Sequence, residues 1–61
     1  MFTTLNDGAM VNLVFVSKIY LDGSNVVYEN AKGSLQSTVE YFDTTEQATQ
    51  RYNKLKSELA S

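Results

Sequence analysis

The sequence predicts an α+β fold, an antiparallel sheet of three or four strands with one C-terminal helix packed on one face. Residues 1–42 are rich in β-branched and aromatic residues, and three glycine turns divide them into short segments. Connections this short favour antiparallel neighbours. After Phe42 the apolar residues change from alternation to helical spacing, which predicts that the sheet ends there and a helix follows.

Glycine turns set the limits of the predicted strands, at Asn6-Asp7-Gly8, Asp22-Gly23-Ser24 and Lys32-Gly33-Ser34. The strands are expected at about residues 1–5, 10–21, 25–31 and 35–42. The second is long for one strand, and the pattern leaves open whether it bends or bulges near Val14 to Ser17. Its odd positions, including Phe15, are almost wholly apolar and are expected to face the core. In the fourth strand Leu35, Val39 and Tyr41 alternate with Gln36, Thr38 and Glu40, the pattern of a half-buried strand whose apolar face is expected to pack inward.

The predicted helix covers about residues 44–60 and begins at a capping signal. Asp43 with Glu46 fits a capping box, and Thr44 is the alternative N-cap. One apolar stripe follows at helical spacing, formed by Ala48, Tyr52, Leu55 and Leu59. Because a free helix of this length is marginal in water, we expect the stripe to dock on the core face of the sheet.

Composition argues against a catalytic site. The chain of 61 residues has no cysteine and no histidine, so disulfides, the commonest metal ligands and the usual nucleophile–base pairs are missing. Ser17 and Lys18, a conceivable Ser–Lys pair, would point to opposite faces of a strand. Turns and the helix cap account for most of the acidic residues. We therefore predict a protein that is not an enzyme and that uses no metal and no cofactor.

Charge and hydropathy restrict the partners. Five basic and seven acidic residues give a net charge of −2, whereas nucleic-acid-binding domains carry a basic excess, so duplex nucleic acid is not expected. No basic leader precedes an apolar run, and no apolar run approaches the roughly 20 residues of a membrane helix. We expect a cytoplasmic protein without a membrane partner. A host protein or a small anionic ligand bound at a local site remains compatible with this charge.

Small size predicts self-association. A chain of this length buries only about 60% of the surface exposed by the unfolded chain, and such domains often gain stability by association. Val14 and Val16 lie on the face of the second strand opposite the expected core. We predict that both residues contribute to the interface of a homo-oligomer.

Tyr20, Tyr28, Arg51 and Lys54 are the residues that packing explains least well, and we predict that they bind the ligand or partner. An aromatic ring beside a guanidinium or ammonium group suits a nucleobase carrying phosphate, and it suits a protein hot spot equally. Tyr20 and Tyr28 would approach each other if the second and third strands pair around the second glycine turn. The alternative for Arg51 is a place on the solvated face of the helix.

The order of turn, strands and closing helix resembles small orphan proteins of phages and mobile elements. It is also similar to the flagellar FlbD family over most of the chain, through Leu5-Asn6, the following glycine and Val11-Asn12. Asp22-Gly23-Ser24 stands where that family has a Pro-Asp-Thr element, so a flagellar role is not carried over. The phage resemblance implies an accessory binding protein that inhibits or sequesters a host component, such as a nucleotide signal. The alternative is a structural or adaptor subunit that acts only through protein–protein contacts.

Overall fold

A computed structural model describes residues 1–30 and 37–60 of the chain. Its elements are β1 (Phe2–Thr4), β2 (Met10–Asn12), a single 3₁₀ turn (Leu13–Phe15), β3 (Val16–Asp22), β4 (Asn25–Asn30), β5 (Ser37–Tyr41) and α1 (Thr45–Ala60). Within the described residues, β1 and β2 form an antiparallel ribbon, and β3, β4 and β5 form an antiparallel sheet in that order. The predicted α+β class is confirmed. The third glycine turn and the strand ends expected at 31 and 35 lie outside the described residues.

The segment at 10–21 forms two strands separated by the 3₁₀ turn. Asn12 Oδ1 accepts a hydrogen bond from the Val14 N–H at 3.1 Å, a local bond that favours a turn over continued extension. Because a 3₁₀ turn does not alternate its side chains between two faces, the strand pattern fails here. Phe15, which was expected to face the core, is 63% exposed.

A β-bulge follows the 3₁₀ turn. The register between β3 and β4 shifts between Val16 and Lys18, and Ser17 is the additional residue. Val16 before the bulge and Ile19 after it both pack against the core. After the bulge, the odd-numbered residues of β3 therefore face the core, as the sequence predicts.

The core lies between α1 and one face of the sheet, and the tip of the β1–β2 ribbon closes it. One cluster of buried residues comprises Leu5, Val26, Tyr28, Ala48 and Leu55. Helix and ribbon thus bury their apolar residues against the same strand, β4. The apolar stripe of the helix is confirmed at Ala48, Tyr52 and Leu55, while Leu59 at its end is 44% exposed.

Strand β5 turns its polar side chains inward. In the register with β4, Glu40 lies opposite Val26, and Tyr41 lies opposite Asn25. Because Val26 faces the core, Glu40 faces it as well and is only 3% exposed, whereas Tyr41 is 68% exposed. The expected alternation is present, but the face assigned from hydrophobicity was wrong.

The ribbon tip has the hydrogen bonds of a type I turn followed by a glycine bulge. Leu5 N–H donates to the Ala9 carbonyl at 2.7 Å, and Gly8 N–H donates to the Leu5 carbonyl at 3.0 Å. Gly8 has a φ of +92°, which a residue with a Cβ adopts only with strain. Asp7 Oδ1 accepts the Ala9 N–H at 2.9 Å. This turn buries Leu5 and directs the N–H of Asn6 towards the sheet.

Helix α1 begins at Thr45 with Thr44 as its N-cap. The Gln47 N–H donates to Thr44 Oγ1 at 3.1 Å, and Gln47 Oε1 accepts the Asp43 N–H at 3.3 Å. The side chain at the third helical position thus reaches back in the manner of a capping box. Of the two N-caps left open by the sequence, the structure uses Thr44, and Gln47 replaces Glu46 as the reciprocal partner.

Leu55 is 1% exposed, so we expect Leu55→Ala to lower the free energy of unfolding by about 2–5 kcal/mol, because a cavity adds to the lost transfer energy. Leu59→Ala makes the same change on the same helix at a partly exposed site, and its loss is expected to stay below about 1 kcal/mol. Urea denaturation followed by circular dichroism measures both values. Equal losses would contradict the burial of Leu55.

Candidate functional site

The polar contacts of the interior converge on the carboxylate of Glu40. Its Oε1 accepts hydrogen bonds from the Tyr28 hydroxyl at 2.9 Å and from Arg51 Nε at 3.1 Å. Its Oε2 accepts the backbone N–H of Asn6 at 2.8 Å. A buried carboxylate is tolerated when it is both paired with a cation and hydrogen-bonded, and Glu40 meets both conditions.

Arg51 carries these contacts to the first strand. Its Nη2 donates to Thr3 Oγ1 at 2.8 Å and to the Thr4 carbonyl at 3.2 Å, and its side chain is 16% exposed. Burial disfavours the charged guanidinium, but the hydrogen bond to Glu40 and the neighbouring charges outweigh it and raise the pKa of Arg51. The contacts around Glu40 therefore join β1, the ribbon tip, β4, β5 and α1.

Tyr28 is fully buried in the core cluster and donates its only hydroxyl proton to Glu40. Burial raises the pKa of Tyr28 to about 12, and the hydrogen bond and charge of Glu40 act in the same direction. The phenol therefore remains a hydrogen-bond donor throughout the physiological range. Neither its ring nor its hydroxyl faces solvent.

The structure brings together two of the four residues predicted to bind a ligand. Tyr28 and Arg51 meet at Glu40, in the interior rather than at the surface. Tyr20 lies on the opposite face of the sheet, since the residue before it in β3 pairs with Tyr28. Lys54 is exposed on α1. Sequence reasoning missed Glu40, because strand alternation assigned it to solvent. An arginine one position from the buried helical stripe was the signal that an acid lay beneath it.

The sheet face away from the helix has aromatic and mixed-charge character. Lys18 Nζ lies 5.1 Å from the ring centroid of Tyr20. Desolvation raises the pKa of Tyr20, and a hydrogen bond with Glu29 adds to the effect. Lys18 and Glu29 are paired in register, so charges of both signs lie beside the ring. This arrangement does not favour an anion over a cation.

An apolar groove of about 460 Å³ lies between the C-terminal half of α1 and the chain around the 3₁₀ turn. Its apolar walls are formed by Leu13, Val16, Ile19, Tyr52, Leu55 and Leu59. Ser17, Lys18 and Lys56 complete the described lining. The volume falls within the roughly 300–1,000 Å³ typical of small-molecule sites.

Large apolar side chains are exposed in the first part of the chain. Five of them are at least 60% exposed, namely Met1, Phe2, Met10, Val14 and Phe15. Val14 and Phe15 lie in sequence between two groove residues, Leu13 and Val16. Of the two predicted interface residues, Val14 is exposed, whereas Val16 packs partly on the core and lines the groove. Clustered exposed apolar residues often mark interaction surfaces.

Within residues 1–30 and 37–60, no three acidic side chains lie close enough together to hold a metal ion. None of the helices in these ranges has the length and apolar character needed to span a bilayer.

Removal of the Tyr28 hydroxyl leaves the Glu40 carboxylate with one donor fewer, so we expect Tyr28→Phe to reduce the free energy of unfolding by about 1–3 kcal/mol. Tyr41→Phe removes a hydroxyl from a mainly exposed tyrosine and is the matched control, with an expected change within about 0.5 kcal/mol. Denaturant midpoints and slopes of both variants provide the comparison. A neutral Tyr28→Phe would mean that the hydroxyl does not stabilise the network.

The titration of Tyr28 predicts a loss of stability in alkali. The folded protein holds this proton with a pKa of about 12, against about 10 for an unperturbed tyrosine. The contribution of the protonated Tyr28 hydroxyl to the free energy of unfolding is therefore complete below about pH 10 and declines as the pH rises through about 12. Tyr28→Phe lacks this titration, so the stability difference between the two proteins should shrink over that window. A difference that stays constant from pH 9 to pH 12 would contradict the raised pKa.

Comparison with protein-family models, with curated proteins and with solved structures finds no significant match to this chain. The resemblances to phage-type orphan proteins and to the FlbD family stay predictions, since these comparisons do not bear on them.

Proposed function

We propose that this chain is a non-catalytic binding protein that acts as an oligomer and holds its partner in the apolar groove. The observation that carries the proposal is the groove itself, about 460 Å³ with apolar walls on both sides. Filling such a groove removes apolar surface from water, the main driving force of association. Val14 and Phe15, which lie in sequence between the groove residues Leu13 and Val16, are exposed apolar residues as well.

The state of the buried polar groups supports binding without turnover. The titratable side chains of Glu40, Tyr28 and Arg51 are grouped together, and each is hydrogen-bonded within the fold. A general base must reach a proton of the substrate. Glu40 is 3% exposed and already accepts three hydrogen bonds, so its chemistry serves the fold.

The contacts of Tyr28 and Arg51 with Glu40 also restrict the class of ligand that the protein can bind. A nucleotide site built from Tyr28 and Arg51 would require both to leave the interior. The groove instead favours an apolar ligand or an apolar protein segment. We therefore place the proposed inhibition or sequestration of a host component at the groove. The alternative role, a structural or adaptor subunit, would use the same groove for a protein partner.

Copies of the chain could also associate through the outer face of the β1–β2 ribbon. Thr3 pairs with Val11, and Val11 packs against the core, so this pair marks the inner face. Phe2 and Met10 lie at alternate positions and point outward, where both are at least 60% exposed. These two exposed apolar side chains share the outer face with Thr4 and Asn12, and exposed apolar residues on a small domain support association between copies.

Native mass spectrometry of the protein purified gently from its natural host tests the proposal. We expect a bound component and an oligomer in the unaltered protein. Leu59→Glu places a charge in the groove and should remove the component, because an unpaired charge in an apolar contact is strongly unfavourable. Tyr41→Glu adds the same charge on a mainly exposed residue of the sheet and should retain it.

Val14→Glu tests the oligomer separately, since Val14 is 70% exposed and its replacement should leave the monomer folded. We expect a shift towards monomer in this variant. A monomeric unaltered protein at high concentration would refute self-association. A component that survives Leu59→Glu would place the binding surface elsewhere, and chemical conversion of a bound molecule by the pure protein would refute a purely binding role.

A further inference from the structure

We propose that the groove binds an amphipathic anion, a ligand with one apolar chain and one anionic head group such as a medium-chain carboxylate. The inference rests on the proposed function, because it names the ligand of the same groove. The apolar walls would bind the alkyl chain of the ligand, and Lys56 would bind its anionic head group. Three observations on the described residues carry it: the charge of the lining, the position of Lys56 and the opposition of two apolar walls.

The charge of the lining is opposite to that of the protein. The chain has a net charge of −2 from seven acidic and five basic residues. Among the described residues that line the groove, Lys18 and Lys56 are basic and none is acidic, and of these two lysines Lys56 has its ammonium beside a groove residue, Tyr52. A lining that carries cations without acids favours an anion and disfavours a cation of the same shape.

Lys56 is placed to meet a head group. Its Nζ lies 5.4 Å from the ring centroid of Tyr52, and both side chains line the groove. This position places the ammonium beside the apolar wall. A ligand whose alkyl chain lies against Tyr52 would then bring its head group within reach of this ammonium. Lys18 is less suited to this role, since its ammonium lies by the Tyr20 ring on the outer sheet face.

The walls suit an unbranched apolar chain. Leu13 and Ile19 stand on the sheet side, and Leu55 and Leu59 stand on the helix side. Burial of a methylene group strengthens binding by about fourfold in the limit of complete removal from water. A longer chain should therefore bind more tightly until the groove is filled. This dependence separates a groove ligand from an anion bound by surface charge alone.

Direct titration of the purified protein tests the inference, with decanoate, octanoate and decyltrimethylammonium as probes below their micellar concentrations. Calorimetry gives the affinities, and amide chemical shifts locate the site. We expect decanoate to bind about tenfold more tightly than octanoate, because two methylenes are partly buried. Decyltrimethylammonium has the same alkyl chain with a cationic head and should bind at least about threefold more weakly than decanoate. The shifts should cluster at groove residues.

Two lysine variants isolate the head group. Lys56→Gln should weaken decanoate binding by about two- to fivefold, the range expected for a solvent-exposed ion pair. Lys54→Gln removes the same charge from the same helix, but Lys54 is exposed and does not line the groove, so its effect should stay below about 1.5-fold. Leu59→Ser should weaken decanoate and decyltrimethylammonium alike, because both would place their chain beside Leu59.

Three results would overturn the inference: no binding of decanoate, equal affinity for the two amphiphiles, or equal effects of the two lysine variants. Its failure is distinguishable from that of the proposed function. If decanoate does not bind but Leu59→Glu still removes a host protein, the groove holds a protein and only the amphipathic-anion inference falls. If the host component survives Leu59→Glu, the proposed function falls, while the decanoate titration decides the inference independently.

Discussion

Donors from three distant parts of the chain meet at the carboxylate of Glu40. Asn6 comes from the ribbon tip, Tyr28 from the central strand and Arg51 from the helix. Removal of one partner from a buried ion pair typically costs about 3–5 kcal/mol, against a total stability of about 5–15 kcal/mol for a typical domain. Because few apolar side chains of the described ranges are buried, we expect this carboxylate to contribute strongly to holding ribbon, sheet and helix in one arrangement.

The same contacts determine which residues remain for function. Arg51 and Tyr28 are the side chains that the sequence would most readily assign to an anionic or aromatic ligand, yet both are used inside the fold. Their use leaves the surface with an apolar groove along the C-terminal half of the helix and with exposed apolar residues on the ribbon. Polar contacts thus stabilise the domain, and the binding function proposed above uses its apolar surface.

The groove depends on an irregularity in the backbone. The 3₁₀ turn capped by Asn12 interrupts the strand, and the bulge at Ser17 restores its register with β4. Between them, Leu13 and Val16 are kept at the groove while Val14 is directed to solvent. An unbroken strand would alternate these side chains between two faces, so the interruption gives the groove one of its walls.

Local signals in the sequence determined the fold class, the helix to within one residue at its start and the burial of Leu55, because periodicity and capping act between near neighbours. They also placed the Asp22-Gly23 turn, where Gly23 adopts a φ of +61°. The orientation of β5 and the role of Arg51 were decided only by tertiary structure. Alternation of polar and apolar residues assigns a glutamate to solvent, and Glu40 is inward because its partners come from far along the chain, Asn6 being 34 residues away. The groove likewise forms only because the helix and the 3₁₀ turn come together in the fold, and no local pattern in the sequence predicts contact between segments so far apart in the chain.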